Sequence, residues 1–128
     1  FTGKEEMKGF TAFSYNGSNI MMIPSGEGSF ALENIDLTGI RSLSLVTGWQ
    51  EAPQFGFDFE ARLDTEAGKS IGKGSMPVPQ KGSQSGMANI PVEAVTDGKF
   101  HKLYIVYKPN NPKGAAQAGI MMVKFNAK

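Results

Sequence analysis

The stretch FDFEARL, at positions 57–63, decides the fold. Apolar side chains stand at positions 57, 59, 61 and 63, and charged side chains stand at 58, 60 and 62. Because successive side chains of a β-strand point to opposite faces, this period of two predicts a strand with one apolar and one charged face. We expect the apolar face to pack on a core and the charged face to meet water.

A second stretch, LYIVY at positions 103–107, has large side chains on both faces. We therefore expect this strand to lie in the middle of a sheet, covered on both sides. The other apolar runs are short and are separated by Gly, Pro, Asn and Asp, which is typical of antiparallel β-structure. The predicted strands are 10–15, 19–23, 29–35, 42–47, 56–63, 70–78, 88–92, 99–108 and 119–126. Nine such strands predict an all-β fold, a two-sheet antiparallel β-sandwich of the jelly-roll type.

The composition excludes several classes of protein. A length of 128 residues predicts a single domain over 1–128, and we expect it to be part of a larger multidomain protein. Thirteen Lys and Arg against twelve Asp and Glu leave a formal net charge of +1, without the clustered basic face of a nucleic-acid partner. The chain has no cysteine, which excludes disulfides and thiolate metal sites. No apolar run approaches the roughly 20 residues of a membrane span.

Catalytic chemistry finds little support in the residues. His101 is the only histidine, and it shares strand parity with Leu103, which predicts a partly buried structural residue rather than a general base. Asp58 and Glu60 are spaced by roughly 7 Å along one strand face, a separation that a glycosidase could use. Arg62 continues that row, however, so a solvated charged face is the stronger interpretation. We predict no enzyme activity, with a small hydrolase using Asp58 and Glu60 as the alternative.

Two methionine pairs, Met21-Met22 and Met121-Met122, fall inside predicted strands. Adjacent side chains of a strand point to opposite faces, so each pair is predicted to place one methionine inward. Methionine fills irregular gaps well, which favours a role in the core over a role in metal binding.

Several segments together carry a resemblance to a known family. Residues 60–72 read EARLDTEAGKSIG, residues 34–40 read NIDLTGI, Val78-Pro79 closes a strand, and residues 101–107 read HKLYIVY. In this order and spacing, over 19–125, the chain resembles carbohydrate-binding module family 6. The resemblance implies a β-jelly-roll that binds a polysaccharide or oligosaccharide. It also implies an extracellular or periplasmic location beside a catalytic domain that acts on carbohydrate or oxidises sugars.

The residues that form the usual ligand cleft of that family are replaced in this chain. The family uses two aromatic side chains and an Asn at positions that match Met22, Met87 and Gly119 here. An Asp that often holds structural calcium is matched by Met121. We therefore expect no cofactor, and we leave open a structural calcium. Glu5 and Glu6 are its candidate ligands, and a charged, frayed N-terminus explains these two residues equally well.

The site is instead predicted at one end of the sandwich. Alternate connections of an antiparallel fold meet at the same end, which brings together the loops at 24–28, 48–55, 79–86 and 109–118. These loops contain the single Trp and several amides, and a pyranose packs its C–H face on a ring while its hydroxyls pair with amides. The predicted ligand-binding residues are Trp49, Gln50, Gln54, Gln80, Gln84, Asn110 and Gln117. We expect Trp49 to be exposed as the platform, the alternative being that it caps the core.

These observations predict a non-catalytic carbohydrate-binding module appended to a secreted enzyme. The alternative is a structural β-sandwich that docks or spaces a neighbouring catalytic domain without binding glycan. Binding of isolated glycans separates the two.

Overall fold

The computed structural model describes residues 6–15, 17–23, 27–49, 56–65, 68–76, 80, 82, 84–109 and 118–127. These residues form ten β-strands and no helix. The strands are β1 (Glu6–Lys8), β2 (Thr11–Tyr15), β3 (Ser18–Met22), β4 (Gly28–Asp36), β5 (Ile40–Trp49), β6 (Phe57–Leu63), β7 (Ser70–Met76), β8 (Ser85–Pro91), β9 (Phe100–Pro109) and β10 (Ala118–Ala127). Each of the nine predicted strands overlaps one of them, and β1 is the addition. In this part of the chain, no helix has the length and apolar character that a membrane crossing requires.

Hydrogen bonds join the strands in the order β1-β4-β9-β6-β7-β8-β5-β10-β3-β2. All nine strand pairs among the described residues are antiparallel. The ladder between β7 and β8 has a single paired position, Ser75 with Asn89. We divide the nearly closed sheet there into layer A (β1, β4, β9, β6 and β7) and layer B (β8, β5, β10, β3 and β2). The predicted antiparallel β-sandwich is confirmed.

Two glycines of β7 allow the layers to meet at this corner. A Cβ atom on Gly72 would lie 2.1 Å from the Pro91 carbonyl oxygen, and one on Gly74 would lie 2.0 Å from the Asn89 carbonyl oxygen. No side chain fits at either position, because the backbone of β8 already occupies that space. The glycines therefore bring β7 and β8 into contact.

The core lies between the layers and takes alternate residues from each strand. Its centre is Tyr107, whose ring centroid lies 5.8 Å from that of Phe57, 5.5 Å from Phe59 and 6.1 Å from Phe10. Layer B faces this cluster with side chains such as Leu45, which is fully buried. Strand β9 lies between β4 and β6, which confirms its predicted central position.

The register of β10 departs from the expected alternation. Ile120 pairs with Thr47 and Met122 pairs with Val46, so that Met121 is an extra residue in a β-bulge. The bulge leaves Met121 and Met122 exposed, at 44% and 46% of their surface. The prediction that one of them points inward is wrong for this reason. It is confirmed for the first pair, in which Met21 is fully buried.

Candidate functional site

The outer face of layer A carries an open groove over β6, β7 and β9. Pairing places Asp58 between Ser75 of β7 and Lys108 of β9, and it places Glu60 opposite Lys73. The groove has a volume of about 400 Å³ and is lined by Asp58, Phe59, Glu60, Lys73, Gly74, Ser75 and Lys108. Because the Phe59 side chain is buried in the core, the polar side chains of the outer face supply the recognition groups.

Glu60 lies in the wall of the groove, and a web of donor side chains, Arg62, Ser70 and Lys73, surrounds its carboxylate. The Arg62 guanidinium donates to Oε1 through Nε at 2.7 Å and approaches it through Nη2 at 2.6 Å. The Ser70 hydroxyl donates to Oε2 at 2.9 Å, and Lys73 Nζ lies 3.7 Å from the same oxygen. With these partners over it, Glu60 is only 5% exposed. The expectation that the whole 58–62 row is solvated is therefore wrong at Glu60.

This web also sets the acidity of Glu60. Burial raises its pKa, but the hydrogen bonds from Ser70 and Arg62, with the charges of Arg62 and Lys73, outweigh burial and hold the pKa below its ordinary value. A glycosidase acid requires a raised pKa, so Glu60 is tuned in the opposite direction. Asp58 accepts a hydrogen bond from the Ser75 hydroxyl at 2.6 Å. Glu60 is therefore not tuned as the protonated acid of a glycosidase.

The lysines of the groove are more available than its carboxylates. Lys108 is exposed and makes no hydrogen bond or ion pair with any residue in the described part of the chain. The Lys73 side chain is 78% exposed, and its contact with Glu60 is long at 3.7 Å. The groove therefore presents cationic donors to a ligand.

Trp49 belongs to the core and is only 7% exposed. Its ring edge lies against Gly86, where an added Cβ would come within 2.8 Å of the indole Cη2. Its backbone N–H donates to the Gln84 carbonyl at 3.0 Å, which ties the end of β5 to β8. The predicted exposure of Trp49 is wrong, and the alternative of a core cap is correct. Strand parity already indicated this, because Trp49 follows buried Leu43, Leu45 and Thr47 at every second position.

Two of the other predicted ligand-binding residues lie in the described part of the chain. Gln80 and Gln84 are both exposed. The remaining four, Gln50, Gln54, Asn110 and Gln117, lie outside the described residues. Their convergence on one site stays a prediction.

The positions that match the ligand cleft of family 6 lie on the outer face of layer B. Met87 is 44% exposed and Met22 is partly buried. Gly119 lies beside them, and a Cβ there would come within 2.4 Å of Ile20 Cγ2 and 3.2 Å of Met22 Sδ. These positions present thioethers and bare backbone where the resemblance to family 6 implies two aromatic rings and an Asn.

His101 joins two turns at the far end of layer A. Its Nδ1 lies 3.1 Å from Asp64 Oδ1, and its Nε2 lies 2.7 Å from Asp97 Oδ2. The hydrogen bonds with Asp64 and Asp97 raise the pKa of His101 above its ordinary value. Its side chain is 11% exposed, which confirms a partly buried structural histidine.

Glu6, one of the two possible calcium ligands, already has partners for its carboxylate. Both carboxylate oxygens of Glu6 are engaged, one by Lys102 Nζ at 2.7 Å and the other by the Tyr104 hydroxyl. Met121 offers a soft thioether, which suits calcium poorly. Glu5 lies outside the described residues. No group of three or more His, Cys, Asp or Glu in the described part of the chain is arranged to hold a metal.

Comparison with solved structures finds the same fold in modules that bind sugars. A family 6 carbohydrate-binding module from Clostridium cellulolyticum, in complex with xylose, is 21% identical, with a TM-score of 0.72 over 94% of this chain and 89% of that chain. CsCBM6-3 from Clostridium stercorarium, in complex with cellobiose, is 14% identical, with a TM-score of 0.70 over 94% of this chain and 83% of that chain.

A third similar structure is part of a larger enzyme. It is a glycoside hydrolase family 43 arabinoxylan arabinofuranohydrolase from Bacillus subtilis, in complex with cellotetraose, 19% identical with a TM-score of 0.70. The match covers 98% of this chain and 25% of that chain. No protein-family model and no curated protein matches the sequence. At these identities the likeness establishes the fold, the β-sandwich of family 6 modules.

Proposed function

We propose that this domain is a non-catalytic carbohydrate-binding module whose groove on the outer face of layer A holds a glycan. The observation that carries the proposal is the likeness over 94% of the chain to a module in complex with xylose, at a TM-score of 0.72. The groove supports it, because an open polar surface of about 400 Å³ suits a ligand rimmed with hydroxyls.

The groove binds sugar through polar contacts rather than through stacking. Lys73 and Lys108 donate to ring or hydroxyl oxygens, and Asp58 accepts from hydroxyls beside Ser75. Among the described residues that line the groove, no aromatic side chain points outward, since Phe59 is 2% exposed. Binding without a ring platform depends on several hydrogen bonds acting together, so it is expected to be selective and of modest affinity.

The absence of catalysis is part of the proposal. The lowered pKa of Glu60 and the engagement of Asp58 by Ser75 support it, because hydrolysis requires a protonated acid at the working pH. Reducing sugar released from a polysaccharide panel by this chain, and abolished by Glu60→Gln, would contradict it.

The similar structures also support a proposal for the protein to which this domain belongs. A similar fold forms a quarter of an arabinofuranohydrolase chain, which supports a role beside a catalytic domain in an extracellular or periplasmic enzyme. We take 1–128 as one domain of such a protein. The loop-end residues around Gln80 and Gln84 are a second possible location for the ligand.

An affinity-gel series with the 128-residue chain tests both locations. Mobility is measured in gels that contain single polysaccharides, for the wild type, the double variant Asp58→Ala/Lys108→Ala and the loop-end variant Gln84→Ala. The proposal expects retardation that the groove variant loses and that Gln84→Ala keeps. The reverse result moves the site to the loop end. No retardation by any plant, bacterial or host glycan would overturn the function and favour the docking alternative.

A further inference from the structure

The groove offers a ligand more available positive charge than negative charge. In the described part of the chain, its lining contains two carboxylates, Asp58 and Glu60, and two ammonium groups, Lys73 and Lys108. Arg62 does not line the groove, and its guanidinium neutralises Glu60 at 2.6–2.7 Å from within the wall. Ser70 occupies the second oxygen of Glu60. A ligand therefore meets two ammonium groups and one carboxylate, Asp58, which accepts a hydrogen bond from Ser75.

The two ammonium groups stand on opposite sides of the groove. Lys108 extends from β9 and Lys73 from β7, the two strands that flank β6. Their paired positions on β6, Asp58 and Glu60, are two residues apart, so the Cα atoms are separated by about 10 Å across the strands and about 7 Å along them. A sugar residue that lies over β6 is within reach of both flexible side chains.

The lysines are held loosely enough to turn to a ligand. Lys108 has no ion-pair or hydrogen-bond partner within the described ranges, and the 3.7 Å contact of Lys73 adds little to Glu60, which Arg62 already satisfies. A charge-assisted hydrogen bond from an ammonium to an anionic oxygen is about twice as strong as a neutral one. Two exposed and weakly engaged ammonium groups therefore favour an anionic ligand over a neutral one.

From these contacts we infer that the groove selects anionic glycans, binding carboxylate or sulfate groups of a polysaccharide between Lys108 and Lys73. The inference rests on the proposed function, since it names the class of glycan that the same groove takes. Asp58 sets the orientation of the bound sugar. Its carboxylate, held by Ser75, accepts a sugar hydroxyl while the two lysines hold the anionic group.

Matched pairs of polymers test the inference. Affinity electrophoresis compares polygalacturonate with its carboxyl-reduced, neutral form, and dextran sulfate with dextran, at low and at high salt. The expected result is that one or both anionic polymers bind at least tenfold more tightly than their neutral partners, with the preference falling as salt rises. The two pairs separate carboxylate from sulfate as the preferred group.

Charge-matched variants locate the effect. Lys108→Gln and Lys73→Gln are each expected to weaken anionic binding by about tenfold, the loss of one charge-assisted hydrogen bond. Lys124→Gln removes the same charge from an exposed position of β10 and is expected to change nothing. Equal loss in all three variants would contradict the groove and indicate non-specific attraction.

The remaining outcomes distinguish this inference from the proposed function. Neutral polymers that bind as tightly as their anionic partners would overturn the selectivity and leave the carbohydrate-binding module intact. Binding to none of the four polymers, nor to any other glycan, would overturn both.

Discussion

The outer faces of the two layers differ although the same alternation builds both. On layer A, outward side chains from β6 and β7 bind one another, and Arg62, Ser70 and Lys73 converge on Glu60. On layer B, the outward or bulged positions hold Met87, Met121 and Met122, each more than 40% exposed. The polar face holds its carboxylates in position before a ligand arrives, whereas the thioether face holds flexible apolar chains. This contrast is the reason for placing recognition of a polar ligand on layer A.

The largest expected effect comes from Trp49, which separates a core role from a ligand role. Trp49→Ala removes a buried indole that packs on Gly86, and it should lower the free energy of unfolding by about 3–5 kcal/mol. Chemical denaturation measures this loss. Binding by the folded fraction should not change, because Trp49 does not line the groove. A variant that keeps its stability and loses glycan binding would return the site to the loop end.

The second effect tests the web on layer A. Glu60→Ala leaves the Arg62 guanidinium, 27% exposed, without its carboxylate and should cost about 2 kcal/mol of stability. Glu33→Ala is the matched control on the same layer, since its side chain is 68% exposed and it should cost less than about 0.5 kcal/mol. Equal costs at the two positions would show that the web does not stabilise the layer.

The same carboxylate predicts a dependence on acid. Because the folded-state pKa of Glu60 is lowered, its contribution to stability is complete above the unfolded-state pKa, near 4.5, and is lost as the pH falls through the folded-state value. The wild type should therefore lose more stability than Glu60→Gln between pH 6 and pH 3. If the wild type and Glu60→Gln lose the same stability as the pH falls, the contacts of Glu60 are not the cause of the acid dependence.

His101 predicts the opposite dependence at the far end of layer A. Its folded-state pKa is raised by Asp64 and Asp97, so its contribution is complete below the unfolded-state pKa, near 6.5, and is lost as the pH rises through the folded-state value. Unfolding at pH 5.5 and pH 8.5 should show a larger advantage of the wild type over His101→Gln at the lower pH. A larger advantage at the higher pH would show that the imidazole is neutral in the fold.

The smallest expected effect lies on layer B. Met87→Ser replaces a thioether that is 44% exposed, and it should change the free energy of unfolding by about 0.5 kcal/mol or less. Its effect on glycan affinity should be undetectable. A clear loss of affinity would place the ligand on the methionine face of layer B and would reverse the contrast between the layers.

The fold followed from the sequence because alternation and turn residues are local signals. The FDFEARL strand and its neighbours were found where predicted, while β1 was missed because three residues are too few for alternation to be visible. Trp49 was predicted in an exposed loop because the predicted strand ends at 47, whereas β5 continues to Trp49. Continuing the parity of the inward residues to 49 places the indole in the core.

The groove could not be predicted in the same way. It depends on the register that sets Asp58 beside Ser75 and Lys108, three positions far apart in the chain that only the sheet brings together. The burial of Glu60 depends on the same register. The exposure of Met121 depends on a β-bulge, and no residue pattern in the strand predicts that bulge.

The most direct test of the central claim is to map the ligand contact by NMR. Backbone amide shifts are followed while a glycan that the chain binds in the affinity gel is titrated in. The largest changes should fall on β6, β7 and β9, around Asp58, Ser75 and Lys108, with little change around Met22 and Met87. Changes centred on the methionine face or on Gln84, with the groove amides unmoved, would contradict the central claim.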